Sequence, residues 1–273
     1  MQHFSSSPLG IISSLLINRS LLKRLIQREV IGRYRGSALG ILWSFIQPLF
    51  MLAVYTFVFS IVFKARWGAS VSHSKTEFAL VLFSGLMIFN LFAECINKSP
   101  TLILSNVNYV KKVIFPLEIL PWVTLGSAIF HFLVSLGVWL VAYSLLIGVP
   151  QATIIYLPLV LLPLLFFTMG LSWILASFGV YLRDVSQFIG ILVTTLLFLS
   201  PIFYPVSALP VEYQPLLLLN PLTIVIEQTR DVLVWGKAIN WLTWAYYLGA
   251  SMLISWMGFA WFAKTRKGFA DVL

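Results

Sequence analysis

Residues 154–180 read IIYLPLVLLPLLFFTMGLSWILASFGV, an unbroken apolar run without the period-two alternation of a half-exposed strand. A helix rises about 1.5 Å per residue, so a run of this length crosses a hydrocarbon core of about 30 Å. Hydrocarbon gives backbone amides no partners, which leaves only helices and closed barrels, and the missing alternation selects the helix. Five further runs of this kind lie outward from it, at 39–63, 78–97, 119–147, 186–206 and 240–263. The sequence therefore predicts an all-α, polytopic membrane protein with six transmembrane helices in a single domain covering residues 1–273.

Composition agrees with that reading. Hydrophobic residues make up 60% of the chain and charged residues 10%, with a mean hydropathy of +0.95, values that no soluble domain carries without exposing most of its apolar side chains. Residues 215–235 fit less simply. Asn220-Pro221 splits them, Glu227, Arg230 and Asp231 fill the second half, and the apolar part is too short to cross.

Charge placement sets the orientation. Of the 18 Lys and Arg residues, 13 fall in 1–38, 98–118, 181–185 and 264–273, which puts those segments on the cytoplasmic side. A seventh span at 215–235 would carry the basic tail Lys264-Thr265-Arg266-Lys267 outside. A re-entrant or interfacial helical hairpin over about 211–236 is expected instead, with both termini cytoplasmic. The net charge of +9 thus lies at the ends of spans and not on a soluble domain, which argues against a nucleic-acid partner. Cys95 is the single cysteine, so no disulfide forms within the chain. The first 20 residues place their basic side chain after the apolar stretch, the reverse of a cleaved signal, and the N-terminus is expected to be retained.

Several short segments carry more specific information. Leu21, Leu22, Leu25, Ile26 and Val30 fall in one half of a helical wheel, with Lys23, Arg24, Gln27 and Arg28 opposite, the pattern of a helix lying at the cytoplasmic lipid interface. Arg33 and Arg35 follow at the mouth of the first span, where paired guanidinium donors match phosphate oxygens; snorkelling arginines are the plainer reading. Gly36 and Gly40 stand in GxxxG spacing and predict close helix approach. The loop core Asn106-Val107-Asn108-Tyr109-Val110-Lys111-Lys112-Val113-Ile114-Phe115 is more apolar than a free loop needs, which suits docking into a partner's groove or resting on lipid.

Charge inside the spans is scarce. Glu94 has Lys98 at i+4, a structural pair, and His131 is expected to be hydrogen-bonded within the bundle. Arg183-Asp184 occupies a cytoplasmic turn, open to a partner or needed for the turn itself. At the outer side, Ser200-Pro201-Ile202-Phe203-Tyr204-Pro205 ends the fifth run in a sequence no straight helix tolerates. Glu227, Arg230 and Asp231 sit at i+3 and i+4 separations, either a gate or local salt bridges at an exposed rim. Aromatic faces stack on sugar rings, and Trp43, Tyr55, Phe198, Phe203 and Tyr204 are the channel-lining candidates among many that pack or face lipid.

These motifs, taken in order, resemble the permeases of polysaccharide ABC exporters, the family of O-antigen, capsule and teichoic acid export. The resemblance runs through Arg33-Tyr34-Arg35-Gly36-Ser37, Leu39-Gly40, Leu42-Trp43 and Pro48-Leu49. It continues through Val110-Lys111-Lys112-Val113-Ile114-Phe115-Pro116, Glu118, Tyr181, Arg183-Asp184, Ser200 to Pro205, Asn220-Pro221 and Gly268-Phe269. It implies a homodimer in the bacterial inner membrane with two cytoplasmic ATPase subunits, and a cargo glycan on undecaprenyl pyrophosphate or a similar carrier. Length and compact outer loops bring the O-antigen branch nearest.

The resemblance also implies roles. Arg28, Arg33 and Arg35 would receive the lipid pyrophosphate. Asn106, Tyr109, Lys111, Lys112, Phe115 and Pro116, with Arg183 and Asp184, would couple to the ATPase, and Asn220, Glu227, Arg230 and Asp231 would gate the exit. No G-x-x-x-x-G-K-[ST] loop occurs, so this chain is expected to bind no cofactor and to have no catalytic site, with ATP and Mg²⁺ held by the partner. Two other readings remain open at this point. A membrane glycosyltransferase or polymerase would need positioned acids, bases or metal ligands, of which Glu227 and Asp231 form the one paired arrangement. An ion-coupled transporter would need more intramembrane charge.

Overall fold

The computed structural model describes residues 14–58, 75–111 and 115–273, and these form helices and turns with no strand among them. Lys112 and the last residues of the first predicted run lie outside the described residues. The helices are α1 (Arg19–Tyr34), α2 (Trp43–Tyr55), α3 (Lys75–Lys98), α4 (Val107–Val110), α5 (Leu120–Leu146), α6 (Leu157–Tyr181), α7 (Val185–Leu199), α8 (Gln214–Leu218), α9 (Pro221–Leu233), α10 (Trp241–Thr265) and α11 (Phe269–Val272).

Among the described residues, four helical stretches are long and apolar enough to cross a membrane: Gly40–Val58, Glu77–Thr101, Leu117–Leu146 and Ala152–Tyr181. The remaining two predicted runs are helical but differ in kind. α7 has 15 residues, and Ser200-Pro201 stops it short of a full crossing. α10 has 25 residues, long enough, but Trp241, Trp244, Tyr246, Tyr247, Trp256 and Trp261 lower its hydropathy.

Helix ends follow local chemistry. Pro121, Pro158 and Pro221 sit in first turns, where the missing N–H costs nothing. Asn220 caps α9 by accepting from the Leu222 amide at 3.0 Å, and Asn240 caps α10 by accepting from Thr243 at 3.2 Å. Gly36 and Gly40 adopt φ of 87° and 53°, and no other described residue packs where their side chains would be. Their spacing therefore serves the turn between α1 and α2, where left-handed backbone favours glycine, and not the helix contact expected of it.

The bundle core is apolar, stitched by buried and half-buried indoles whose N–H groups reach across to neighbouring backbones. Trp139 donates from α5 to Leu80 O (2.9 Å), Trp173 from α6 to Glu118 O (3.1 Å), and Trp244 from α10 to Leu159 O (2.7 Å). α6 and α10 make the most extensive pairing. They cross at Gly170 and Gly258, where a Cβ on either glycine would overlap the facing backbone.

α1 shows how an amphipathic stripe can be satisfied in more than one way. Its apolar side chains Leu21, Leu22, Leu25 and Ile26 pack on Ile119, Val123 and Phe115 of the α5 entrance, while Lys23, Arg24, Gln27 and Arg28 are exposed. The stripe expected to rest on lipid thus rests on the bundle, and Gly126 of α5 leaves the space that Ile26 fills.

Candidate functional site

The densest polar cluster links α1, α3 and α5. α3 presents Glu94 on the side facing α1, and Arg33 at the end of α1 reaches it with Nη1–Oε1 at 2.8 Å. Lys98, one turn along α3, bridges Glu94 at 3.3 Å and Glu29 of α1 at 3.1 Å. From α5, His131 Nδ1 lies 2.9 Å from the other Glu94 oxygen and 3.2 Å from Arg33 Nη1. The Tyr34 ring stands edge-on to the His131 ring, 6.1 Å away. Partial burial raises the Tyr34 phenol above its ordinary pKa, against the pull of adjacent Arg33.

The predicted Glu94–Lys98 pair is therefore present but forms one arm of a larger network. Two carboxylates and two cations, with His131, hold α1 against the bundle. A cavity of about 250 Å³ opens beside it between α2, α3 and α5, with Arg33, Glu94 and His131 in its wall. A shallower cleft, lined by Arg28, Glu29, Gly32, Arg33 and Lys98, adjoins on the α1 side.

The remaining predicted residues fall in three places. Arg35 is exposed just past α1 and Arg28 is exposed on it, but Arg28 Nη1 donates to Tyr109 Oη at 2.7 Å and lies over its ring. Tyr109 stacks on Phe115 at 4.1 Å with Pro116 next in line, so the loop after α3 is tied directly to α1. Asn106 donates to Leu102 O at 2.9 Å and shapes that loop. Lys111, Arg183 and Asp184 are exposed, the last two in the α6–α7 turn.

Trp43 opens α2 just past the turn after α1 and is exposed, and Tyr55 at the end of α2 is half-buried in the wall of the same cavity as Arg33. At the far end of α7, Phe198 is exposed and Phe203 and Tyr204 are half-buried. Phe198 stacks with Phe203, and Tyr204 Oη donates to Phe198 O at 3.0 Å, which folds the segment after α7 back on itself. Asn220 also donates to Ser200 Oγ at 2.9 Å, joining the start of α9 to that segment. Asp231 pairs with Lys237 at 3.2 Å near the surface.

Arg230 stands apart from the exposed rim on which it was expected. It is 0% exposed. Its guanidinium donates to Pro201 O (2.5 Å), Ile202 O (2.9 Å), Val81 O (3.3 Å) and Glu227 Oε1 (2.9 Å). Gly85 of α3 leaves the space beside it. This is a buried clamp between α3, α9 and the α7–α8 link.

A second buried pair closes the other face. Arg266 after α10 meets Glu118 at 2.6 Å, Ser14 donates to the same carboxylate at 3.2 Å, and Phe269 is fully buried against Phe262. The sequence reading missed both the Glu118–Arg266 pair and the Glu94–His131 contact, because each joins residues far apart in the chain.

Helices of membrane-crossing length with a polar network inside them define a multi-pass membrane protein. The chain belongs to the ABC-2 type transporter family, whose model matches residues 20–234. It is similar to two proteins from Klebsiella pneumoniae, each named O-antigen export system permease protein RfbA. One is 25% and the other 24% identical over 256 residues, 93% of this chain and 95% of each relative. A protein of the same name from Myxococcus xanthus is 30% identical over 131 residues, 48% of this chain and 47% of that protein.

Proposed function

We propose that the chain is the permease subunit of an ATP-binding-cassette exporter that moves a lipid-linked polysaccharide, of O-antigen type, across the bacterial inner membrane. The observation that carries this reading is the near full-length similarity to relatives named as O-antigen export permeases. The permease acts as a homodimer on two copies of a cytoplasmic ATPase that hold ATP and Mg²⁺, and it carries no catalytic site of its own.

Six helices cross the membrane in this reading. α7, 15 residues long, and α10 join the four long apolar stretches, while α8 and α9 form a re-entrant hairpin on the outer side. Both termini are cytoplasmic and α1 lies along the cytoplasmic surface. Arg28, Arg33 and Arg35 receive the pyrophosphate of an undecaprenyl-type carrier. Tyr109, Lys111, Lys112 and Phe115, with Arg183 and Asp184, take up motion from the ATPase. The Arg28–Tyr109 hydrogen bond supports direct transmission from that loop to α1. Trp43, Tyr55, Phe198, Phe203 and Tyr204 border the path, and Glu227 and Asp231 gate its exit around the Arg230 pivot and the Asn220 cap.

Deletion of the gene tests this reading. Finished glycan on its lipid carrier should accumulate on the cytoplasmic side while surface glycan disappears. Loss of glycan synthesis itself, with no accumulated product, would point to a glycosyltransferase or polymerase instead.

A further inference from the structure

From position 78 to 97, every residue of α3 is buried except Asn90, Glu94 and Asn97. These three stand at i, i+4 and i+7, a single stripe along the helix. A side left open to lipid should be apolar, since an amide in hydrocarbon finds no partner. α3 does the reverse: its apolar side chains pack inward and its open stripe is polar throughout.

All three residues line the cavity of about 250 Å³, and Gln47 of α2 with His131 and Ser135 of α5 face it from the other walls. Among the described residues, no hydrogen bond engages the amides of Gln47, Asn90 or Asn97. The volume falls just below the range of drug-sized pockets, room for one ring and not for a chain. Amides offer donors and acceptors together, the pattern that matches vicinal hydroxyls. Arg33 lines both this cavity and the cleft of Arg28, Lys98 and Glu29, so a hydroxyl-matching space and one with three cations to a single carboxylate share a wall.

We infer that the cavity is a saccharide subsite: it holds the sugar residue attached to the carrier pyrophosphate, through the Asn90 and Asn97 amides, while the phosphates lie in the adjoining cleft. The inference rests on the lipid-linked cargo proposed above. Asn90 and Asn97 are then specificity-determining residues for the cargo, distinct from the arginines that read its charge.

The test titrates the full-length protein in nanodiscs with two probes, undecaprenyl pyrophosphate and the same lipid carrying one N-acetylhexosamine. Wild type should bind the glycosylated probe about tenfold more tightly, the worth of one or two net hydrogen bonds. The double variant Asn90→Leu, Asn97→Leu should bind both probes as wild type binds the bare one. Both positions are exposed, so leucine leaves the core intact, and retained affinity for the bare probe reports that the fold is intact. The variant Asn90→Gln, Asn97→Gln should keep part of the preference. Equal binding of the two probes by wild type overturns the subsite and leaves the carrier reading standing. A preference that survives in the leucine variant overturns it as well, by placing sugar recognition elsewhere. Binding of neither probe overturns the carrier reading and the subsite with it.

Discussion

Arg230→Met should cost about 3 kcal/mol or more of stability, because it removes a fully buried cation whose donors serve buried backbone carbonyls on two segments as well as the half-exposed Glu227 carboxylate. The methionine fills most of the volume but none of the hydrogen bonds. Pro201 O and Ile202 O lie where α7 has ended and lose the donor that serves them, and each stranded buried carbonyl costs about 1–3 kcal/mol. Glu227 loses the cation that balances it. Arg230→Lys should recover little, because one ammonium cannot fork to carbonyls on two segments and a carboxylate at once. Thermal unfolding in detergent measures both variants. A midpoint for Arg230→Met within about 2 °C of wild type would contradict the clamp, since a loss of this size moves a midpoint by several degrees.

Gly258→Leu should be comparably damaging for a different physical reason. The facing atoms at Gly258 are the backbone of Gly170, which cannot rotate aside as a side chain would. Adding even a Cβ forces α6 and α10 apart, and overpacking of this sort costs about 1–3 kcal/mol where side chains can adjust and more where they cannot. The crossing also carries the Ser177–Thr265 contact and the Tyr181 Oη bond to Thr265 O at 3.0 Å, which position the tail bearing Arg266. The expected result is a lower unfolding midpoint, with loss of protein from the membrane fraction. The control Gly249→Leu lies on the same helix with nothing facing it, and should behave as wild type.

The contrast between these sites shows which physics is local enough to be legible. The apolar stripe Leu21 to Val30 predicted a one-sided helix, and α1 is one. Periodicity reports that a face is apolar, not whether protein or lipid covers it, and the cover proved to be Ile119 and Val123. Glu94 with Lys98 was legible because i+4 neighbours meet by helix geometry alone. Arg33 and His131 reach the same carboxylate from 61 and 37 residues away, contacts that no local rule supplies.

Arg230 made the same point in reverse. Three ionisable residues in a short amphipathic segment resemble a solvated rim. Only the closure of α3 and residues 201–202 around the guanidinium turns it into a core residue. Gly36 and Gly40 stand at a spacing shared by helix contacts and by turns, and the positive φ values decide for the turn. The stripe of Asn90, Glu94 and Asn97 was within reach of the sequence, since its i, i+4, i+7 spacing sits inside an otherwise apolar run. Its meaning depended on learning that the rest of the helix is buried.

The account turns on force arriving from outside the chain, through the loop that Tyr109 ties to α1. The most direct measurement reconstitutes the purified permease into vesicles with carrier-linked glycan and follows glycan crossing with and without its ATPase subunit and ATP. The account predicts crossing only when the ATPase and ATP are both present. Crossing at the same rate by the permease alone would contradict it.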